Sequence, residues 1–193
     1  MKLLHIDSSI LGEGSASRTL TREIVDRFQA ARPDTEVTYL DLATEGLPHF
    51  SQRSLARADE RDAARDEQAL AQFLAADVVV LGAPMYNFTI PSQLKAWIDR
   101  IAVAGKTFRY GPNGPEGLAG DKQVIVAIAR GGIYPAGSPA EFGESYLRHL
   151  FGFLGVRDLT FVRAEGLKIS PEHRAAALEA ARAAIPLPTA LAA

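Results

Sequence analysis

Asp77-Val-Val-Val-Leu81, closed by Gly82 and Pro84, is the stretch on which the fold turns. An unbroken apolar run, rich in β-branched residues and stopped by Gly and Pro, reads as a strand buried on both faces. Val124–Ala129 repeats the pattern and stops at Arg130-Gly131-Gly132. Strands covered on both sides need helices on both sides, which is the design of a parallel sheet with crossover helices.

Working outward toward the N-terminus, Arg61 to Ala75 reads as a helix with Leu70, Phe73 and Leu74 on its apolar side. Residues 41–60 read as irregular, with Gly46 and Pro48 among many charges. Glu36–Leu40 alternates Val37 and Tyr39 with polar neighbours, a strand pattern. Leu20, Ile24, Phe28 and Ala31 recur at helical spacing, and Pro33-Asp34 ends that helix. Lys2–Ile6 is a short strand that breaks at Asp7-Ser8-Ser9.

Toward the C-terminus, Pro91 opens a helix with the stripe Leu94, Trp97, Ile98 and Ile101. Ser138-Pro139-Ala140-Glu141 has the form of a capping box, and Phe142, Leu147, Leu150, Phe151 and Leu154 follow it. Arg157–Ala164 reads as a fifth strand. Ser170-Pro171-Glu172 starts an Ala-rich helix that Pro186 ends. Five strand–helix units with right-handed crossovers predict an α/β, doubly wound, five-stranded parallel sheet, in one domain over 1–193. Thr107–Gly120 is the one excursion, too turn-rich for a helix and too long for a tight connection.

Composition narrows the function. The 193 residues include no cysteine, so thiolate catalysis, disulfides, Cys-ligated zinc and iron–sulfur clusters are excluded. Any redox chemistry must come from a bound organic cofactor. Lys plus Arg number 21 against 23 Asp plus Glu, a formal charge of −2 that argues against nucleic-acid binding. The longest apolar run is six residues, far below the about 20 that span a bilayer. Met1-Lys2 opens directly into a strand pattern, with no secretory hydrophobic region, so the expectation is a cytoplasmic protein. His5, His49, His149 and His173 lack metal-ligand spacing, so no metal is expected.

In such a sheet, ligands bind beyond the carboxyl ends of the strands. The first such loop, Asp7-Ser-Ser-Ile-Leu-Gly-Glu-Gly-Ser-Ala-Ser-Arg18, offers hydroxyls and a helix N-terminus to a terminal phosphate. The bland alternative is a plain cap at Ser15 or Ser17. It lacks G-x-G-x-x-G and Walker-A spacing. The second, Gly82-Ala-Pro-Met-Tyr-Asn-Phe-Thr-Ile-Pro91, puts Met85, Tyr86 and Phe88 where a flat ring could lie, with Asn87 for its polar edge; the alternative is aromatics tucked into the core. The third, Arg130-Gly-Gly-Ile-Tyr134, lets backbone approach a planar ligand or simply turns.

These residues together resemble the FMN-dependent NAD(P)H:quinone oxidoreductases called azoreductases. The resemblance rests on Ser9 with Ser15-x-Ser17, Pro84-Met-Tyr-Asn-Phe88 and Arg130-Gly-Gly132, and runs from about residue 1 to 167. It implies a flavodoxin-like fold, FMN as cofactor, and NADH or NADPH as donor. It implies a ping-pong hydride relay through flavin N5 to quinones, with reductive cleavage of azo compounds. By the same resemblance, Ser9, Ser15, Ala16 and Ser17 hold the FMN phosphate. Pro84, Met85, Tyr86, Asn87 and Phe88 line the isoalloxazine, and Ala129, Arg130, Gly131 and Gly132 border its other polar edge. Ala16 and Ala129 stand where the family often has Gln and Ser, which implies weaker FMN retention. The family is homodimeric, so Tyr110 and Phe153 are expected near the partner's flavin; the alternatives are an exposed turn for Tyr110 and the core for Phe153. Tyr134 is a further substrate-pocket candidate. No side chain is expected to act as the catalytic acid or base, and water is taken as the proton source. The competing reading is a flavodoxin-type electron carrier without its own substrate pocket, but such carriers tend to be strongly acidic.

Overall fold

The computed structural model describes residues 1–135 and 137–186; the tail 187–193, which the one-domain reading took in, lies outside the described residues. Five strands form a parallel sheet: β1 (Lys2–Asp7), β2 (Glu36–Asp41), β3 (Val78–Pro84), β6 (Gln123–Ala129) and β7 (Asp158–Ala164). Their order is β2-β1-β3-β6-β7, the doubly wound arrangement expected from the sequence. The chain reverses direction of growth between β1 and β3, so the switch point lies at the centre of the sheet.

Among the described residues the α-helices are α1 (Ala16–Ala31), α2 (Gln52–Leu55), α3 (Glu60–Ala75), α4 (Ser92–Ile101), α5 (Gly143–Phe153) and α6 (Pro171–Ala183). The continuous run of β3 splits by the period of two that pleating imposes. Val78 and Val80 pack with Leu20, Ile24 and Phe28 of α1 and Ala181 of α6. Val79 and Leu81 pack on the opposite face with Phe73, Leu94, Trp97, Leu147 and Phe151 of α3, α4 and α5. Both faces are covered, which is why the sequence shows no polar alternation there. Leu74 is a correction to the helical stripe: it is 39% exposed, and Ala69 and Phe73 carry the burial instead.

Local signals fix the helix ends. Ser15 accepts from the Arg18 N–H at 3.3 Å, Asp59 Oδ1 from Asp62 N–H at 3.0 Å, and Ser170 Oγ from His173 N–H at 3.1 Å. The expected capping box at Ser138 forms differently. Ser138 Oγ caps a turn at Ala140, while Glu141 takes the N–H groups of Gly143 and Glu144 at 3.0 and 2.8 Å. The helix therefore starts at Gly143, later than the Ser-x-x-Glu pattern suggests.

The 107–120 excursion is a hairpin, β4 (Phe108–Gly111) against β5 (Gly114–Gly117). It follows α4, which returns the chain to the amino ends of the strands. The hairpin thus lies at the opposite edge from the carboxyl-end loops. There Phe108 packs against Phe153 with ring centroids 4.6 Å apart, and Tyr110 meets Phe108 edge-on at 5.6 Å. The stretch 41–60, read as irregular, holds the short α2 and is tied down by Arg100. That side chain, 3% exposed, donates to Asp66 at 2.8 Å and to the Pro48 carbonyl at 2.9 Å. Among the described residues, no helix is long and apolar enough to cross a membrane.

Candidate active site

Four loops at the carboxyl ends of β1, β3, β6 and β7 enclose a cavity of about 620 Å³, within the size range of cofactor sites. Its lining contains Ser9, Ser15, Ala16, Pro84, Met85, Tyr86, Asn87, Phe88, Ala129, Arg130, Gly131, Gly132 and Tyr134. The structure therefore brings together the sequence candidates from all three loops. Ser17 does not reach the cavity: it is fully buried beneath Ser15, with the two Oγ atoms 3.1 Å apart. Tyr110 and Phe153 pack with the hairpin around Phe108 and do not line this cavity.

The serine loop is held from below. Arg18 donates from Nε and Nη2 to the Ser9 carbonyl at 3.1 and 2.7 Å, and pairs with Asp41 at 2.9 and 2.6 Å. Asp7, 3% exposed, accepts from Thr21 at 2.8 Å and Tyr39 at 3.1 Å. Burial raises the Asp7 carboxyl, but His5 at 3.5 Å, the Thr21 hydroxyl and Arg18 more than offset it, so Asp7 ionises below its usual range. Tyr39 is pushed up to about 12 by partial burial and then by the charges of Asp7 and Asp41. Asp7 and Asp41 organise the loop, as their places at the strand ends suggest.

The first two N–H groups of α1, on Ala16 and Ser17, have no carbonyl one turn earlier in the helix. They belong to a helix N-terminus beside three serine hydroxyls, a donor set suited to an anion. Ala16 contributes no side-chain donor there, only its backbone N–H.

The β3 loop makes a tight two-residue turn. Tyr86 and Thr89 exchange backbone hydrogen bonds at 2.9 and 3.2 Å, with Asn87 and Phe88 both left-handed at φ 48° and 71°. Asn tolerates that region; a bulky aromatic does so at a cost of order 1 kcal/mol, and such strain collects at functional sites. The turn holds Phe88 54% exposed at the cavity, not tucked into the core. Tyr86 Oη lies 3.2 Å from Ser9 Oγ and accepts from Ile10 N–H at 3.1 Å, so the aromatic turn and the serine loop are locked to each other.

Arg130 is 3% exposed and turns its guanidinium inward, to Glu141 at 3.1 Å, Glu144 at 3.2 Å and Glu165 at 2.7 Å. Its backbone, with the two glycines after it, forms the cavity wall. Glu144 also binds Arg148 and Arg163. Burial raises its carboxyl, yet the hydrogen bonds and charges of Arg163 and Arg148 dominate and hold it at about 2 against an ordinary 4.5. A depressed pKa stabilises the fold above about pH 4.5 and loses that contribution as pH falls toward 2. Urea midpoints measured from pH 7 to pH 2 are therefore expected to converge for wild type and Glu144→Gln across that window.

Sequence reasoning missed Leu167, Lys168 and Arg174, which also line the cavity. The register of β7 on β6, Ala164 beside Ala129, delivers the loop after β7 to the same rim. A fourth carboxyl-end loop was the available signal. A second cavity of about 600 Å³ shares Tyr86 and Asn87 and extends to Ile90, Lys95 and Tyr146. Burial, then Asp99, pushes the Tyr146 phenol up to about 12.

A family model described as the flavodoxin-like fold matches residues 1–186. The chain is 58% identical over 185 residues to the FMN-dependent NADH:quinone oxidoreductase of Xanthomonas oryzae pv. oryzae (strain MAFF 311018), covering 96% of this chain and 95% of that protein. Among solved structures, the azoreductase of Bacillus anthracis str. Sterne is similar at 35% identity and a TM-score of 0.82, covering 96% of this chain and 99% of that one. The FMN-dependent NADH-azoreductase of Bacillus anthracis str. Ames Ancestor, solved in complex with FMN, is similar at 26% identity and a TM-score of 0.85, with 96% and 98% covered.

Proposed function

The chain belongs to the flavodoxin-like family that includes FMN-dependent quinone oxidoreductases and azoreductases, and from that premise we propose that it is an FMN-dependent NADH:quinone oxidoreductase working by ping-pong exchange, with azo compounds as further acceptors. The observation that carries the reading is the single cavity joining the serine loop, the Met85–Phe88 turn and the Gly131-Gly132 wall. A phosphate-binding end and a flat apolar end, at fixed separation, are what a flavin mononucleotide requires.

The residues present fit that group. Ser9, Ser15 and the N–H group of Ala16 would hold the phosphate, with Ser17 supporting Ser15 from beneath. Met85, Tyr86, Asn87 and Phe88 would line the ring on one side, with Ala129 to Gly132 on the other. Gly131 and Gly132 leave room there: a Cβ on Gly132 would sit 3.3 Å from the Tyr134 ring. Bound FMN would supply two-electron hydride chemistry at N5, which the side chains themselves cannot. The chain's part is to orient and to exclude water. Tyr86 fixes the ring end relative to the phosphate end, and the strained turn presents Asn87 as a donor and acceptor. No Asp or Glu lines the cavity among the described residues, and in this reading water supplies the proton.

Tyr110 and Phe153, beside the hairpin, act in this reading across a homodimer, toward the partner's cavity. Tyr110 is 78% exposed and free to do so, whereas Phe153 is half-buried against Phe108.

The test is a visible spectrum of the protein with FMN, followed by NADH and then benzoquinone. Flavin absorbance retained on the protein, bleaching by NADH and recovery on quinone are expected. No flavin retained at saturating FMN would sink the reading. Bleaching without reoxidation by quinone would favour an electron carrier.

A further inference from the structure

The cavity is electropositive although the chain is not. Its lining holds three cations and no carboxylate among the described residues. Arg130 is compensated internally by three glutamates. Arg174 and Lys168 are not: neither has a carboxylate within 4 Å among the described residues. Lys168 lays its stem along Gly131, where an added Cβ would come within 3.1 Å of Lys168 Cδ. Arg174, in α6, donates from Nη2 to the Gly14 carbonyl at 3.1 Å. It is thereby placed at the serine end of the cavity, one residue from Ser15.

A chain of formal charge −2 has set two free cations beside one cavity. The anchoring loop itself offers little net charge. Serine hydroxyls are neutral, and a helix N-terminus is equivalent to about half a charge. A phosphate monoester carries about −1.5 to −2 at neutral pH. The balance needs a full cation, and of the two free ones Arg174 is the one that hydrogen-bonds this loop.

We propose that Arg174 is the residue by which this chain selects phosphorylated flavin over unphosphorylated flavin. This rests on the FMN reading above. Arg174 supplies the countercharge to the phosphate monoester, and through the Gly14 carbonyl it holds the loop that receives it. Its partner on the other side is Arg18, which grips the Ser9 carbonyl. The serine loop is thus held between two guanidinium groups, one neutralised by Asp41 and one left free for the ligand.

The experiment is a titration of FMN and of riboflavin, followed by quenching of flavin fluorescence, into wild type, Arg174→Gln and Arg174→Lys. Far-UV circular dichroism confirms that each variant is folded. Gln keeps a donor for Gly14 but loses the charge; Lys keeps the charge. Arg174→Gln is expected to weaken FMN at least about tenfold, the worth of a charge-assisted contact, and to leave riboflavin unchanged. Arg174→Lys is expected to retain most of the preference. The wild-type FMN affinity falls with added salt more steeply than that of Arg174→Gln. An FMN-to-riboflavin ratio unchanged in Arg174→Gln overturns this inference while leaving the FMN reading intact. A wild-type protein that binds neither flavin overturns both.

Discussion

Arg18→Met is expected to lower stability by about 3 kcal/mol and to cost the protein its grip on FMN. Methionine keeps the packing stem, so the loss isolates the charge. Removing one partner of a buried ion pair costs roughly 3–5 kcal/mol, because the other charge is stranded. Asp7, with 4% of its side chain exposed, keeps His5, Thr21 and Tyr39; Asp41, at 18%, loses both hydrogen bonds from Arg18 but can partly rehydrate. That places the effect at the low end. The same substitution frees the Ser9 carbonyl, and with it the loop that faces the cavity. Urea denaturation gives the first quantity and FMN titration the second. Adding Asp41→Asn to Arg18→Met should recover part of the stability but none of the affinity. A loss below about 1 kcal/mol would mean that the clamp behaves as a surface pair.

Gly117→Ala is the second large expected effect. A Cβ on Gly117 would collide with Gly155 N, Gly155 Cα and the Leu154 carbonyl carbon. All three are backbone atoms, so no rotamer change relieves the clash. Gly155 is itself left-handed at φ 92° and closes the end of α5, which leaves it no room to retreat. Overpacking costs about 1–3 kcal/mol, and the top of that range applies where only backbone can move. The hairpin is expected to lift away from α5 while the sheet stays intact. Trp97, the only tryptophan and wholly buried in α4, should keep its blue-shifted emission. Trypsin should cleave after Lys106 and Arg109, both exposed, faster in the variant than in wild type, because the hairpin backbone is no longer held against α5. Loss of Trp97 burial together with the hairpin would show that the two unfold as one unit.

Strands, helices and sheet type were legible because their signals are local. A covered strand must be apolar throughout, a half-covered helix must repeat every three or four residues, and Ser15, Asp59 and Ser170 cap within one turn. The hairpin was illegible because its Gly and Pro residues signal turns whether or not strands lie between them. Arg100 was illegible because nothing near it in sequence announces Asp66 and Pro48 as partners. Ser138 misled because Ser-x-x-Glu also suits a turn leading into a glutamate cap. In the site, the serine loop, the aromatic turn and the paired glycines could be read from composition and position. Arg174 could not, since it lies 160 residues from the carbonyl it binds. Arg130 illustrates the remaining gap: its place in the wall was evident, but the inward direction of its charge depends on Glu141, Glu144 and Glu165 converging from the turn before α5, from α5 and from the loop after β7.

The cavity takes its walls from residues near 9–16, 84–88, 129–134 and 167–174. These segments meet only after every crossover has closed and β7 has joined the sheet. No partly folded form lacking that last strand has the complete cavity, because Leu167, Lys168 and Arg174 come with it. Ligand is therefore taken up by the finished fold alone, and occupancy draws the folding equilibrium after it by mass action. At a hundred times its dissociation constant, such a ligand adds about 2.7 kcal/mol to the folded state. A protein whose stability is of the usual 5–15 kcal/mol would then owe a large share of its lifetime against proteolysis to how well its cofactor is supplied.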